Sequence, residues 1–342
     1  MIIRNKEFNM NGSHTYIMGI LNVTPDSFSD GGSYIDVDNA LRHVEEMINE
    51  GADIIDIGGE STRPGHVQIS EEEEIKRVTE VIRLVRGNFD IPISIDTYKA
   101  PVARTALEAG ADIINDIWGL QYDLYNREED GVDADKIERY SGQKMAEVVK
   151  EYKAPIVMMH NDNLGRSVEE RDEERIAKFL RANGCVDKVS AIKTYIVDAE
   201  NMLGDLSSYH ASRLYHSVEE DKVVDRVITG LLNSVKIATE AGIPEDMIIV
   251  DPGIGFAKTQ TENILTVKYL KKIVESVGFP MLLATSRKSM IGSVLELPPD
   301  QREEGTIVTT VMAVQAGCKF VRVHDVEKNA RTIKMTEAIL SL

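Results

Sequence analysis

Eight short runs rich in isoleucine and valine recur along this chain, and each is followed by apolar residues at helical spacing. Tyr16–Asn22 (YIMGILN) reads as the first strand, and residues 37–50 follow with Leu41, Val44, Met47 and Ile48 on one helical face. Residues 53–58 (DIIDIG) form the second strand and 71–86 the second helix, with Ile75, Val78, Val81, Ile82 and Val85 turned inward. Strand 92–96, helix 101–109, strand 111–115, helix 143–152 and strand 155–160 continue the pattern. Helix 223–241 precedes strand 247–251, and helix 261–277 precedes strand 281–285. A helical stretch within 287–316, strand 319–324 and helix 326–340 close the chain. Most of these strands are apolar on both faces, which a buried parallel sheet requires. A doubly wound sheet also alternates strand and helix, but eight regular units favour a closed (β/α)8 TIM barrel. Ahead of the first strand, IIRNKEF and a turn near Asn11-Gly12 predict an N-terminal β-hairpin.

The chain has 342 residues, whereas such a barrel needs about 250, so roughly 90 are extra. They fall at 120–142, after the fourth strand, and at 162–222, after the fifth. The second stretch carries short helical patterns, Ile176, Phe179 and Leu180, then Val186, Val189, Ile192 and Ile196, so the insertions are expected to be helical. With no repeat or Pro/Gly-rich linker, residues 1–342 read as one domain. Lys and Arg number 39 against 57 Asp and Glu, a net charge of −18, which argues against nucleic acid or an anionic membrane as partner. An anionic substrate must then be held by local cations. Two cysteines, Cys185 and Cys318, suit a reduced compartment, and no run approaches the ~20 apolar residues of a membrane span. A cytoplasmic location is the expectation.

The strand ends carry the polar residues. The first ends in Asn22, the second runs into Gly58-Gly59-Glu60, the third ends in Asp96, and the fourth in Asn115-Asp116. The fifth ends in His160-Asn161, the sixth in Asp251, and the seventh in Thr285-Ser286, while the eighth carries Arg322 and His324. Eight such ends converge on one mouth, where barrel enzymes keep their sites. Capping of the following helices would explain some Asn, Asp and Ser, but not Arg322 or His324. Arg322 and His324 alternate on one strand, so both point the same way, and a guanidinium fork suits phosphate oxygens.

The ordered motifs MGILNVTPDSFSDGG, GGESTRPG, SIDTYK, INDIWG, DPGIGF, TSRKSMIG and VRVHDV resemble those of the dihydropteroate synthase family across the chain, the two insertions excepted. The resemblance implies a (β/α)8 fold and condensation of 6-hydroxymethyl-7,8-dihydropterin diphosphate with 4-aminobenzoate. The products are 7,8-dihydropteroate and pyrophosphate, in folate biosynthesis, with sulfonamides as inhibitors. It implies a pterin site of Asp96, Asn115, Met159, Asp251, Phe256 and Lys288, and a diphosphate site of Asn22, Arg63, Arg322 and His324. It implies a 4-aminobenzoate site of Phe28, Thr62, Pro64, Phe256 and Ser286, with Asp30, Arg63 and Arg287 steadying the loops. Asp96, Asp251, Lys288, Arg322 and His324 are the catalytic candidates. Mg²⁺ is the implied cofactor, with Asn22 its ligand, and a homodimer the implied assembly. The chemistry agrees: a pterin edge offers adjacent N–H donors to a buried carboxylate, and no Cys or Ser here has the base partner of an activated nucleophile.

Blander readings stand beside these roles. Asp251 before Pro-Gly also forms turns, Met159 also packs cores, a lone strand histidine is usually a satisfied core residue, and Arg63 and Arg287 also suit an ordinary surface. Trp118 reads as wall packing. A methyltetrahydrofolate methyltransferase would share the pterin residues but has no use for Asn22, Arg322 and His324 as an anion site, or for the NVTPDSFSDGG loop. A non-catalytic pterin-binding homologue should lack members of that set, and none is missing.

Overall fold

The computed structural model describes residues 1–23, 34–61, 68–122, 143–161 and 220–342. Phe28, Asp30, Thr62, Arg63 and Pro64 lie outside the described residues, as do both insertions apart from their edges. Eight parallel strands form one sheet: β3 (Tyr16–Asn22), β4 (Ile54–Gly58), β5 (Ile93–Asp96), β6 (Ile113–Asp116), β7 (Ile156–Met159), β8 (Ile248–Asp251), β9 (Leu282–Leu283) and β10 (Phe320–Val323). Each pairs with its neighbour in sequence, β10 returns to β3, and a bridge from Val250 to Met281 closes the ring. This is the (β/α)8 barrel that the alternating pattern predicts.

The hairpin lies one turn earlier than expected. Strands β1 (Ile2–Ile3) and β2 (Lys6–Glu7) pair with each other, Ile2 opposite Glu7, and Arg4 adopts φ 55 in the turn. The Asn9–Gly12 segment is a separate turn in which the Asn9 side chain accepts from the Asn11 and Gly12 amides. It leads into β3 without forming a strand pair.

The helices follow local chemistry. Ser70 caps α1's successor, α2 (Glu71–Asn88), whose first turn is four glutamates facing the positive helix end, whereas α1 itself is Tyr34–Glu50. Helices α3 (Ala100–Ala109), α4 (Gln143–Tyr152) and α5 (Glu220–Glu240) continue the outer layer. The single helix expected over 261–277 is two, α6 (Gln260–Lys268), opened by a capping box of Thr259 and Glu262, and α7 (Leu270–Val277), parted at Tyr269. The stretch 287–316 is likewise α8 (Ser289–Leu295) and α9 (Glu303–Ala316), with Pro298-Pro299 between them preventing a continuous helix. The last helix, α10, is Val326–Leu340.

Period-2 alternation divides the strands into two cores. Outward residues such as Ile55, Ile57, Ile93, Ile95, Ile114 and Val321 pack against helical Val78, Ile82, Val85 and Val102. Inward residues Met18, Ile54, Ile113, Val157, Ile249, Leu282 and Phe320 fill the lower barrel, together with Ile3 and Phe8 of the N-terminal segment. The Phe8 ring lies 4.8 Å from Tyr16 and 5.9 Å from Phe320, so it stoppers the barrel floor.

Phe8→Ala empties that stopper. The expected loss is about 3–5 kcal/mol, the range for truncating a buried phenylalanine, read as a lower urea midpoint followed through Trp118 fluorescence. An unchanged midpoint would show that the segment is not part of the barrel core.

Candidate active site

Two residues above the apolar floor, the inward positions turn polar. Ile54 is followed inward by Asp56, Ile113 by Asn115, Ile249 by Asp251, and Phe320 by Arg322. Met18 leads to Ile20 and Asn22, Ser94 to Asp96, Val157 to Met159, and Leu282 to Ala284 and Ser286. The ladders align these rows: Asp96 pairs with Asn115 and with Gly58, Asn22 with Gly58, and Met159 with Asp251. One barrel face therefore collects the described strand residues that the sequence nominates.

Arg322 sits at the centre of that layer. Its Nε donates to Asp56 Oδ2 at 2.6 Å and its Nη2 to Asp96 Oδ2 at 2.7 Å. Asn115 Nδ2 also donates to Asp56 Oδ2, at 3.3 Å. Sequence reading groups Arg322 with His324 and Asn22 around an anion. In the structure its described partners are instead the two carboxylates, and His324 Nδ1 lies 2.9 Å from Ser286 Oγ. Ser286 Oγ also accepts from the His324 amide at 3.2 Å, so the end of β10 is fastened to the segment after β9.

Asp56 is the site residue that sequence reading misses. The signal was present in DIIDIG: its two acids lie three apart and so occupy opposite strand faces. Asp53 serves the outside, accepting from Lys6 Nζ at 2.5 Å and the Ile17 amide at 2.7 Å. Asp56 is wholly buried inside the barrel.

The remaining groups flank this centre. Asp251 Oδ1 accepts from the Gly253 amide at 2.7 Å, so the Asp-Pro-Gly turn does form, yet the carboxyl is 3% exposed. Lys288 donates Nζ to the Ile254 carbonyl and lies 4.7 Å from the centre of the Phe256 ring. Phe256 packs on a cluster of Met159, Trp118, Ile117 and Tyr98, in which Trp118 is indeed wall. Arg287 adopts φ 60. Its amide donates to Thr306 Oγ1 at 3.3 Å and its carbonyl accepts from Arg302 at 3.0 Å, so its backbone is built in.

Burial dominates the electrostatics. It pushes the Asp96 carboxyl up to about 7, against the pull of Arg322 and with the help of Asp56. It raises Asp251, although Lys288, Lys258 and Arg322 oppose the shift. It pulls Lys288 down to about 8, with Asp251 resisting. For Arg322, burial is outweighed by Asp56 and Asp96, and the guanidinium holds its proton more tightly than usual. Asp56 Oδ1 and Asp96 Oδ1 accept no hydrogen bond from the described residues. Arg322 thus faces Asp56 and Asp96, Lys288 and Lys258 oppose the burial of Asp251, and the spare oxygens of Asp56 and Asp96 remain as buried acceptors. Such acceptors are costly unless a ligand brings N–H donors. The arrangement suits a flat heterocycle with a donor edge, stacked on Met159 and Phe256, and it favours positive charge developing on that ligand.

Among the described residues, no three Asp, Glu, His or Cys groups are placed to hold a metal ion. No helix among them is long and apolar enough to cross a membrane.

The family model described as "Pterin binding enzyme" matches residues 18–324. A dihydropteroate synthase of Clostridium beijerinckii is 43% identical, over 99% of this chain and 99% of its own. The solved dihydropteroate synthase of Clostridium difficile, in the presence of pteroic acid, shares 38% identity with a TM-score of 0.70, over 96% of this chain and 97% of that one. The Yersinia pestis dihydropteroate synthase in a sulfonamide drug complex shares 30% identity with a TM-score of 0.71, over 100% and 99%.

Removing Asp56 leaves the buried guanidinium with one carboxylate. Asp56→Ala is expected to cost about 3 kcal/mol, the lower end for breaking a buried ion pair, and Asp56→Asn less, because the amide keeps one acceptor. Urea unfolding of both variants checks this, and two neutral results would refute the pairing.

Proposed function

The chain belongs to the pterin binding enzyme family, among its dihydropteroate synthases, and from that premise we propose that it condenses 6-hydroxymethyl-7,8-dihydropterin diphosphate with 4-aminobenzoate. The products are 7,8-dihydropteroate and pyrophosphate, a step of folate biosynthesis. The observation that carries the assignment is the polar inner layer: Asp56, Asp96 and Asp251 with Arg322 and Lys288 at adjacent strand ends.

In this reading Asp251 and Asp96, with Asn115, accept the donor edge of the pterin, and Lys288 donates to its carbonyl and a ring nitrogen. Met159 and Phe256 give the ring apolar surface to stack on. The electron-rich dihydropterin carries positive charge at its exocyclic carbon, so the C–O bond breaks first. Its electron pair leaves with pyrophosphate, and the amine lone pair then forms the C–N bond, the proton of that nitrogen passing to the departing anion or to water. Buried carboxylates favour the cation electrostatically, and no covalent enzyme intermediate is needed. Arg322, His324, Asn22 and Arg63 are assigned to the diphosphate. The Asp56 and Asp96 contacts hold Arg322 in place and leave its Nη1 for phosphate.

Mg²⁺ bound to the diphosphate would neutralise part of the leaving charge. Asn22 fits such an ion as a single neutral oxygen ligand at the inner rim, because Mg²⁺ keeps several waters and uses few protein ligands. Ser286 is assigned to the 4-aminobenzoate carboxylate, with Phe28, Thr62, Pro64 and Phe256 along the ring. Asp30, Arg63 and Arg287 steady the surrounding loops. Sulfonamides, which imitate this substrate, are inhibitors in this reading. A homodimer is proposed through α9 and α10, where Val308, Met335, Ile339 and Leu340 are all more than half exposed. The enzyme is assigned to the cytoplasm.

The reaction is tested by pyrophosphate release in a single turnover, with and without 4-aminobenzoate. Release that proceeds without the amine, and dihydropteroate only with it, supports bond breaking before attack. Release strictly dependent on the amine would overturn that order.

The two shifted groups also set a pH profile. Asp96 loses acceptor character as pH falls through about 7, and Lys288 loses its charge as pH rises through about 8. A plot of kcat/KM is therefore expected to be a narrow bell with limbs near those values, which belong to the coupled groups together. Lys288→Met should lower the rate and remove the alkaline limb. A flat wild-type profile between about pH 6 and 9 would contradict both roles.

A further inference from the structure

Lys258 is a lysine only 2% exposed that no step above uses. Its Nζ donates to the carbonyls of Gly253 at 2.9 Å, His160 at 3.3 Å and Phe256 at 3.5 Å. It thereby stitches the turn after β8 to the residue that follows β7. The turn approaches that residue closely: the His160 amide donates to the Asp251 carbonyl at 2.8 Å, and a Cβ on Gly253, at φ 70, would lie 1.9 Å from the His160 oxygen. Asn263 completes the brace, accepting from the Gly255 amide at 2.7 Å and donating to the Lys258 carbonyl at 3.2 Å. The turn begins at Asp251 and ends at Phe256, the acid and the ring assigned to the pterin.

A buried ammonium also acts through its charge on the groups around it. The charge has a neighbour to act on. Asp251 is faced by Lys288 from the segment after β9, by Arg322 from β10, by the Gly253 amide and Lys258 from its own turn, and by the Cys318 thiol ahead of β10. His160, at the end of β7, is itself kept neutral by burial, with Lys258 and Arg226 adding to the effect. Lys288, Lys258 and Arg322 all favour the ionised carboxylate against its burial.

We propose that Lys258 is a positioning residue of the pterin pocket: its ammonium fixes the Asp251–Phe256 turn against the end of β7 and keeps Asp251 an acceptor. The inference rests on the assignment of Asp251 and Phe256 to the pterin.

Calorimetric titration with 6-hydroxymethyl-7,8-dihydropterin as a function of pH tests it on the wild type, Lys258→Met and Lys258→Gln. Lys258→Met should weaken binding roughly tenfold at neutral pH, the size of one lost positioning contact. Its affinity should also begin to fall at a higher pH than in the wild type. Without Lys258 the Asp251 carboxyl takes a proton more readily, and the acceptor is lost as pH falls. Lys258→Gln keeps a donor but no charge, so it should recover part of the affinity at alkaline pH and retain the displaced acid limb. If Lys258→Met does not fold, the glutamine variant carries the same comparison. A loss of equal factor at every pH, or no loss, overturns the proposal. A wild type that binds no dihydropterin overturns the pocket assignment along with it, whereas normal wild-type binding with unmoved variants rejects the role of Lys258 alone.

Discussion

A guanidinium buried inside a barrel must find its counter-charges there, and Arg322 finds them in Asp56 and Asp96, on two strands remote from its own in sequence. The arrangement ties β10 to β4 and β5 across the barrel interior. It also fixes what else the layer can hold. Asp56 brings in Asn115, and the spare oxygens of Asp56 and Asp96 remain as acceptors. Desolvating charges is expensive and good pairing geometry offsets it only in part. The upper barrel is therefore a place where stability is given up for a preorganised field.

The lower barrel and the outer shell make that concession tolerable. Below the charged layer the inward positions are apolar apart from Ser94, and Phe8 closes the floor against Tyr16 and Phe320. Outside the strands a continuous apolar shell joins sheet and helices. The same alternation that sends Ile55 and Ile57 outward sends Asp56 inward, so fold and site come from one periodic pattern. Fixed carboxylates, with Arg322 and Lys288 among them, constitute a field built before any ligand arrives.

Much of this was legible in the residues. The strand YIMGILN and the helix 326–340 read off directly, because strong periodicity and clear flanking polar residues delimit them. Tyr269 and the Pro298-Pro299 pair divided helices that apolar spacing alone would run together, since spacing does not register a local backbone break. The hairpin turn at Arg4 was obscured by the stronger turn signal of Asn11-Gly12. Within the site, position at the carboxyl ends of the strands placed Asp96, Asn115, Asp251 and Arg322 at one mouth. The partnership of Arg322 with Asp56 was hidden, because Asp56 precedes the strand end and a strand-end position says nothing of which neighbour across the barrel a side chain meets. The pairing of His324 with Ser286, 38 residues apart and just beyond the ends of adjacent strands, was hidden because strand ends alone do not say which side chains bond.

The account stands on one carboxylate more than any other, since Asp251 joins the pterin assignment, the charge of Lys288 and the turn braced by Lys258. The most direct measurement is calorimetric binding of 6-hydroxymethyl-7,8-dihydropterin to folded Asp251→Ala beside the wild type. Loss of a buried, charge-assisted acceptor is expected to cost about 2–4 kcal/mol, or roughly 30- to 1,000-fold in affinity. Near-wild-type affinity in a variant that retains the barrel would contradict the assignment of this inner layer to the pterin.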